Sequence, residues 1–233
     1  FKNSELYLPK FKNGIKAVFH RGFNGTIKTA TISITPTGKY FVSALINIDE
    51  SIPLKKPIDE SKAVGIDLGI KTFATLSDGQ VIENPRHLKK SLRRLKMRQR
   101  SFSIKTKGGS NREKAKRTLA IVHEKVANRR RDFLHKTTTE IVKKYDTICL
   151  ETLNVSGMIK NHCLAQALSD VSLSKFNELL EYKSEWQGKN ILRIGRFEPS
   201  SRLCTCGTVN KELKLSDRIW TCKICNTTHD RDI

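Results

Sequence analysis

The sequence predicts an α/β chain: a small sheet carrying acids, a long basic helical pair inserted between its strands, and a cysteine-rich segment near the end. Three observations carry this prediction. Ala63-Val-Gly-Ile-Asp67 is an apolar, β-branched strand interrupted by one carboxylate. From Arg86 to about Tyr145, apolar residues recur at helical spacing among many cations. Thr147-Ile-Cys-Leu150 is a second short apolar run, and it too ends on an acid, Glu151.

The 233 residues and 37% hydrophobic content suffice for a real core and exclude a disordered chain. No apolar run approaches the roughly 20 residues of a membrane span. No secretory signal is visible, so a cytoplasmic protein is expected. Lys and Arg total 44 against 23 acids, a formal net charge of +21. An imbalance of that size favours a polyanion, nucleic acid before an anionic membrane. A structural nucleic-acid binder would share it, so charge alone does not make an enzyme. The chain begins at Phe1 and stops at Ile233 straight after a charged motif, as a piece of a longer protein would.

Residues 1–59 read as a β-rich module. Ile15 to His20, Ile27 to Ile34 and Tyr40 to Ile48 are strand candidates, divided by turns at Gly22-Phe-Asn-Gly25 and Pro36-Thr-Gly38. They are expected to form part of a small barrel. Lys10, Lys12, Lys16, His20, Arg21 and Lys28 make this module basic, and a phosphate-contacting face is preferred over a solvated one. Ser51-Ile-Pro-Leu-Lys-Lys-Pro57 is the expected linker.

Residues 60–200 read as the second domain. After Asp67, Gly69 permits a tight bend. Phe73-Ala-Thr-Leu resumes the strand up to a Ser-Asp-Gly turn, and Val81-Ile82 is a third strand. Leu88, Leu92 and Leu95 then share one helical face. Ser110 and Glu113 form a capping-box pattern opening a second helix, with Ala115, Leu119, Val122 and Val126 as its stripe. Between Arg86 and Arg131 the only acids are Glu113 and Glu124, whereas a merely solvated helix pair usually carries both signs. A nucleic-acid track is therefore expected here, with Lys89, Lys90, Arg93, Arg94, Arg98, Arg129, Arg130 and Arg131 as its cations. Cys149 is most simply a core residue. Met158 to Leu168 reads as a polar stretch. Asp170 or Ser172 can cap a helix built on Phe176, Leu179, Leu180 and Trp186, which Gly188 ends before the strand Ile191 to Ile194.

Four of the six cysteines cluster as Cys204, Cys206, Cys222 and Cys225. Two such pairs flanking a short segment in residues 201–228 read as a zinc site in a reducing compartment. Cys222-Lys-Ile-Cys225 has the usual two-residue gap. Cys204-Thr-Cys206 has only one, which predicts a distorted knuckle, with His229 as a possible substitute ligand or a neighbour of the active site.

The acids at strand ends or in apolar surroundings are Asp67, Glu151, and Asp230 or Asp232. Hairpin with Asp, basic helices, strand with Glu, helix, strand and late Asp is the order of an RNase H-like nuclease. Three converging carboxylates repel one another, so they imply divalent cations. Two Mg²⁺ roughly 3.5–4 Å apart clamp the attacking water and the leaving oxygen of a phosphodiester. An Asp capping a turn and a Glu ending a strand are the plainer alternatives for each acid alone.

Several motifs together resemble the TnpB family, the RNA-guided endonucleases of bacterial transposons, also called OrfB transposases and related to type V CRISPR effectors. These are Val64-Gly-Ile-Asp67-Leu-Gly-Ile-Lys71, Ile148-Cys-Leu-Glu151-Thr-Leu-Asn154, Phe197-Glu-Pro-Ser-Ser-Arg202, the cysteine pairs and His229-Asp-Arg-Asp-Ile233. The resemblance implies a RuvC-like nuclease domain with an inserted basic hairpin over about 86–145 and a zinc ribbon, preceded by part of a β-barrel wedge domain. It implies catalytic acids at Asp67 and Glu151. For the third, the second Asp of the last motif, begun at residues 229–233, favours Asp232 over Asp230. Guide RNA from a transposon end and target DNA are the implied partners, in a bacterial or archaeal cytoplasm near the nucleoid. Two other readings stay open: an RNA-guided DNA binder that does not cut, and a DNA-strand transferase.

Overall fold

The computed structural model describes residues 5–20, 22, 24–48, 51–195, 202–213, 217 and 219–230. The chain divides into two compact units, Phe1–Ser51 and Ile52–Ile233.

The first unit holds two separate two-stranded sheets among the described residues. Strand β1 (Glu5–Leu6) pairs with β2 (Ile15–Lys16), and β3 (Thr26–Ile34) pairs antiparallel with β4 (Tyr40–Asn47). Gly38 turns the second hairpin at φ +84°, where the Thr35 amide donates to the Lys39 carbonyl at 2.9 Å. The expected strand at Ile15 to His20 shrinks to its first two residues. Among the described residues the strands of this unit pair only within these two sheets. Every residue of β3 is exposed, so neither face of its apolar and polar alternation is covered.

The second unit is a mixed α/β fold. Its strands are β5 (Ala63–Leu68), β6 (Thr72–Leu76), β7 (Val81–Glu83), β8 (Thr147–Glu151) and β9 (Asn190–Ile194). They lie in the order β7-β6-β5-β8-β9. The first three form an antiparallel meander, while β8 runs parallel to β5 and β9 parallel to β8. The β5–β6 bend is close: a Cβ on Gly69 would stand 2.8 Å from the Thr72 carbonyl. Between β7 and β8 come helices α1 (His87–Ser103) and α2 (Ser110–Lys144). Between β8 and β9 come α3 (Val155–Ile159), α4 (His162–Val171) and α5 (Leu173–Trp186).

One face of this sheet is dry. Val64 and Ile66 of β5 and Ile148 and Leu150 of β8 pack with Leu134, Ile141 and Val142 of α2 and Phe176, Leu179 and Leu180 of α5. Phe73 sits among them, edge-on to Phe133 at 4.9 Å and to Phe176 at 5.0 Å. The alternation of strand side chains places Gly65, Asp67, Cys149 and Glu151 on the opposite face. Only the C-terminal half of α2 enters the core. Its N-terminal half packs on α1, where Val122, Val126 and Leu95 are buried.

Two helix starts differ from expectation. The α2 cap is Gly109, and Ser110 is already helical, so the Ser110–Glu113 capping box does not form. Nor does Asp170 or Ser172 cap α5 through its side chain. Asp170 reaches instead from α4 to the first turn of α1, accepting from the Leu88 amide at 2.9 Å and the Lys89 amide at 3.3 Å. It also pairs with Arg130 of α2 at 3.3 Å. The polar stretch Met158 to Leu168 is mostly helical, because Asn154 and Asn161 each supply a cap that local hydrophobicity does not signal. Gly188 does follow α5, at φ +60°.

Beyond β9, β10 (Ile219–Thr221) pairs antiparallel with β11 (Thr228–Asp230), around a small core of Cys204, Leu213, Trp220 and Cys222.

Candidate functional site

Asp67 and Glu151 are brought together by register. Ile66 of β5 stands opposite Leu150 of β8, so the next residue of each parallel strand is one of the two acids. Adjacent strands lie about 4.8 Å apart, within reach of a shared cation. Both acids sit at the carboxyl ends of their strands on the face opposite the hydrophobic core; Asp67 is exposed and Glu151 half-buried. A parallel pair flanked by an antiparallel hairpin gives this result because β5 is shared by both. The hard oxygen donors of two adjacent carboxylates fit Mg²⁺. Cys149, expected in the core, is half-buried on this same face, and burial pushes its thiol pKa up. Asp232 lies outside the described residues. Asp230 is exposed on β11, opposite Ile219.

Glu151 forms one end of an open cleft of about 560 Å³, also lined by Thr152, Asn154, Gly157, Met158 and Asn161. Neither asparagine stood out in the sequence as a site residue. The Glu-Thr-Leu-Asn spacing was the one signal that placed Asn154 near the acid.

The cations expected to meet nucleic acid fall on the helical pair. Lys89, Lys90, Arg93 and Arg94 of α1 are exposed, as are Arg129 and Arg131 of α2. Arg98 is half-buried. Arg130 is turned inward onto Asp170, its side chain 25% exposed. Over residues 86–131 there are 18 Lys and Arg against two acids, so the exposed side of the pair is a cationic rod.

Four thiols converge near the C-terminal end. The sulfurs of Cys204, Cys206, Cys222 and Cys225 all lie within 4.8 Å of one another, with Cys204–Cys225 at 3.3 Å and Cys206–Cys222 at 3.7 Å. Tetrahedral Zn–S bonds of about 2.3 Å require sulfurs about 3.8 Å apart, so the four fit zinc. The short Cys204-Thr-Cys206 spacing is absorbed in the backbone. Gly207 takes φ +84°, and the Cys204 amide and Gly207 amide each bond within the turn at 2.8 Å. The hydroxyl and amide of Thr227 help hold the Cys225 thiol down to about 6, which favours the metal-binding thiolate. His229 stands beside this cluster, its Nε2 3.0 Å from Cys204 Sγ and its ring 4.8 Å from Trp220.

Similar proteins bear on this geometry. A family described as OrfB_IS605, probable transposase, matches residues 44–162. A Cas12f1-like TNB domain matches residues 174–233. A Streptomyces pristinaespiralis protein named as a candidate RNA-guided DNA endonuclease is 44% identical over 206 residues, covering 88% of this chain and 50% of that protein. The similarly named InsQ of Escherichia coli K12 is 31% identical over 247 residues, covering 100% of this chain and 60% of InsQ. The chain thus spans about half the length of the curated relatives it matches. Among solved structures, the protein of a Cas12f1–sgRNA–target DNA complex matches with a TM-score of 0.53 at 18% identity, over 80% of this chain and 40% of that one. That likeness supports the mixed α/β fold.

Proposed function

The chain belongs to the OrfB_IS605 family of probable transposases, and from that premise we propose that it is the catalytic part of an RNA-guided, metal-dependent DNA endonuclease of a transposable element. The observation that carries the proposal is the pair Asp67 and Glu151, side by side at the carboxyl ends of β5 and β8. The strand order β7-β6-β5-β8-β9, antiparallel through three strands and parallel through the next two, supports reading this sheet as that of an RNase H-like (RuvC) nuclease.

Asp67, Glu151 and, as the third acid, Asp232 hold the catalytic metal. Mg²⁺, when bound, supplies positive charge against the phosphodiester oxygens and a template for in-line attack by water. The two strand-borne acids fix where that charge sits. Their rigidity comes from the ladder that sets them side by side, not from a flexible loop. The exposed cations Lys89, Lys90, Arg93, Arg94, Arg129 and Arg131, with Arg98, grip a guide RNA–DNA heteroduplex by its backbone. Sequence reading is thereby left to base pairing. Zinc in the four-cysteine cluster is structural, since all four positions are filled by thiols and none is left for substrate.

The test uses the full-length protein with its copurified RNA, sequenced to define the guide. Cleavage of matching DNA should require Mg²⁺, and Asp67→Ala should abolish it while RNA binding is retained. Normal cutting by that variant refutes the assignment. The family's description as a transposase keeps one second reading, strand transfer, which a joined DNA product would support.

A further inference from the structure

We propose that Asn154 and Asn161 form an uncharged donor pair that holds a single nucleic-acid strand in the cleft beside Glu151. The inference deepens the nuclease reading and rests on it for the role of Glu151. Each asparagine has its carbonyl oxygen committed. Asn154 Oδ1 accepts from the Gly157 amide at 3.0 Å and the Ser156 hydroxyl at 2.9 Å, capping α3. Asn161 Oδ1 accepts from the Cys163 amide at 3.1 Å, capping α4. Those donors fix which end of each amide is oxygen, so each Nδ2 is the end left over. Neither Nδ2 has a partner among the described residues, and both side chains are exposed on the cleft. Gly157 keeps the first amide in place: a Cβ there would come within 2.5 Å of Asn154 Nδ2.

The ligand class follows from the lining. In a chain of net charge +21, no Lys or Arg is among the described residues that line this cleft. A neutral NH₂ donates to a phosphate or base oxygen. Met158 and Leu164 add apolar surface against which a sugar or base can lie. A cleft of about 560 Å³ takes a nucleotide-sized piece of one strand and is too small for a duplex.

The test separates capping from donation. Serine caps helices about as well as asparagine, but its short side chain withdraws the donor from the cleft. Asn154→Ser, Asn161→Ser and the double variant are compared with the matching Ala variants. Binding of a labelled oligothymidine probe is measured across a salt series without added divalent metal, alongside thermal melting. Each Ser variant should weaken binding about threefold to tenfold, the range for a neutral hydrogen bond. The slope of log K against log salt should stay unchanged, because an uncharged amide releases no counterion. Melting should stay within about 2 °C of the parent, while the Ala variants melt lower. Parental binding by the double Ser variant overturns the proposal, as does weakening that appears only together with a lowered melting point or an altered slope. Because the probe is read without cleavage, a negative result here leaves the Asp67 test standing, and normal cutting by Asp67→Ala leaves this one standing.

Discussion

Asp170→Ala should be among the most destabilising substitutions outside the hydrophobic core. Its carboxylate accepts from the Leu88 and Lys89 amides at the start of α1, a cap supplied from another helix. Removing an N-cap costs about 1 kcal/mol. It also pairs with Arg130, whose side chain is 25% exposed against 7% for Asp170. Leaving one partner of a largely buried pair behind costs about 3–5 kcal/mol. The two losses share a carboxylate and do not add in full, and Arg130 keeps some water, so a total of about 3 kcal/mol is expected. For a unit of this size that lowers the melting temperature by about 6–12 °C, read by circular dichroism. Asp170→Asn keeps an acceptor for the amide and should lose about half as much. Arg130→Met should recover part of the loss in the double variant, since it removes the stranded cation. A change below about 1 kcal/mol in Asp170→Ala, or no coupling between the two sites, refutes the reasoning.

Three other outcomes are expected. The purified chain should carry one equivalent of zinc, and Cys222→Ser should lose it together with the Trp220 environment, followed by fluorescence; a content well under one equivalent contradicts the cluster. Hydrogen bonds from Lys144 at 2.6 Å, from the Tyr145 hydroxyl and from the Gln80 amide hold Asp78 down to about 2. Its folded pKa lies below its unfolded value of about 3.9, so its contribution is complete above about pH 4 and vanishes as pH falls to 2. With a third of the side chain exposed, that contribution is about 1 kcal/mol, and the gap in melting temperature between Asp78→Asn and parent should close over this window. Finally, Arg93→Ala and Arg94→Ala should each lower single-strand affinity and flatten the salt slope by about 0.7, whereas Arg130→Ala should act chiefly on stability.

The parts of this fold legible in the sequence are those governed by short-range periodicity. Val64 and Ile66 flank Gly65 with period two, so β5 and the odd acid at its end stand out, as does Glu151 after an apolar run. The leucine and valine stripes of α1 and α2 announce themselves in the same way. What was hidden depends on contacts far apart in the chain. Asp170 caps a helix 82 residues away, a role no local pattern carries. Asn154 and Asn161 sit in a segment too polar to read as helix, and their caps, not an apolar stripe, start α3 and α4. The β3–β4 hairpin alternates as a half-buried strand should, yet the second face it implies is not covered by any described residue. Cys204 and Cys206 are one residue closer than a regular knuckle has them, and the left-handed Gly207 accommodates the spacing.

The 35-residue helix α2 has a mechanical consequence. From Asn111 to Lys144 it contains neither glycine nor proline, so nothing in its sequence provides a joint. Its last turns, through Ile141 and Val142, are embedded against the strands that bear the acids, while the stretch before Arg130, packed on α1, is an arm about 30 Å long. The helix is therefore a one-piece lever with its fulcrum in the core. A load at the tip arrives at the sheet as torque, and a tilt of about 5° at the base sweeps the tip through about 3 Å.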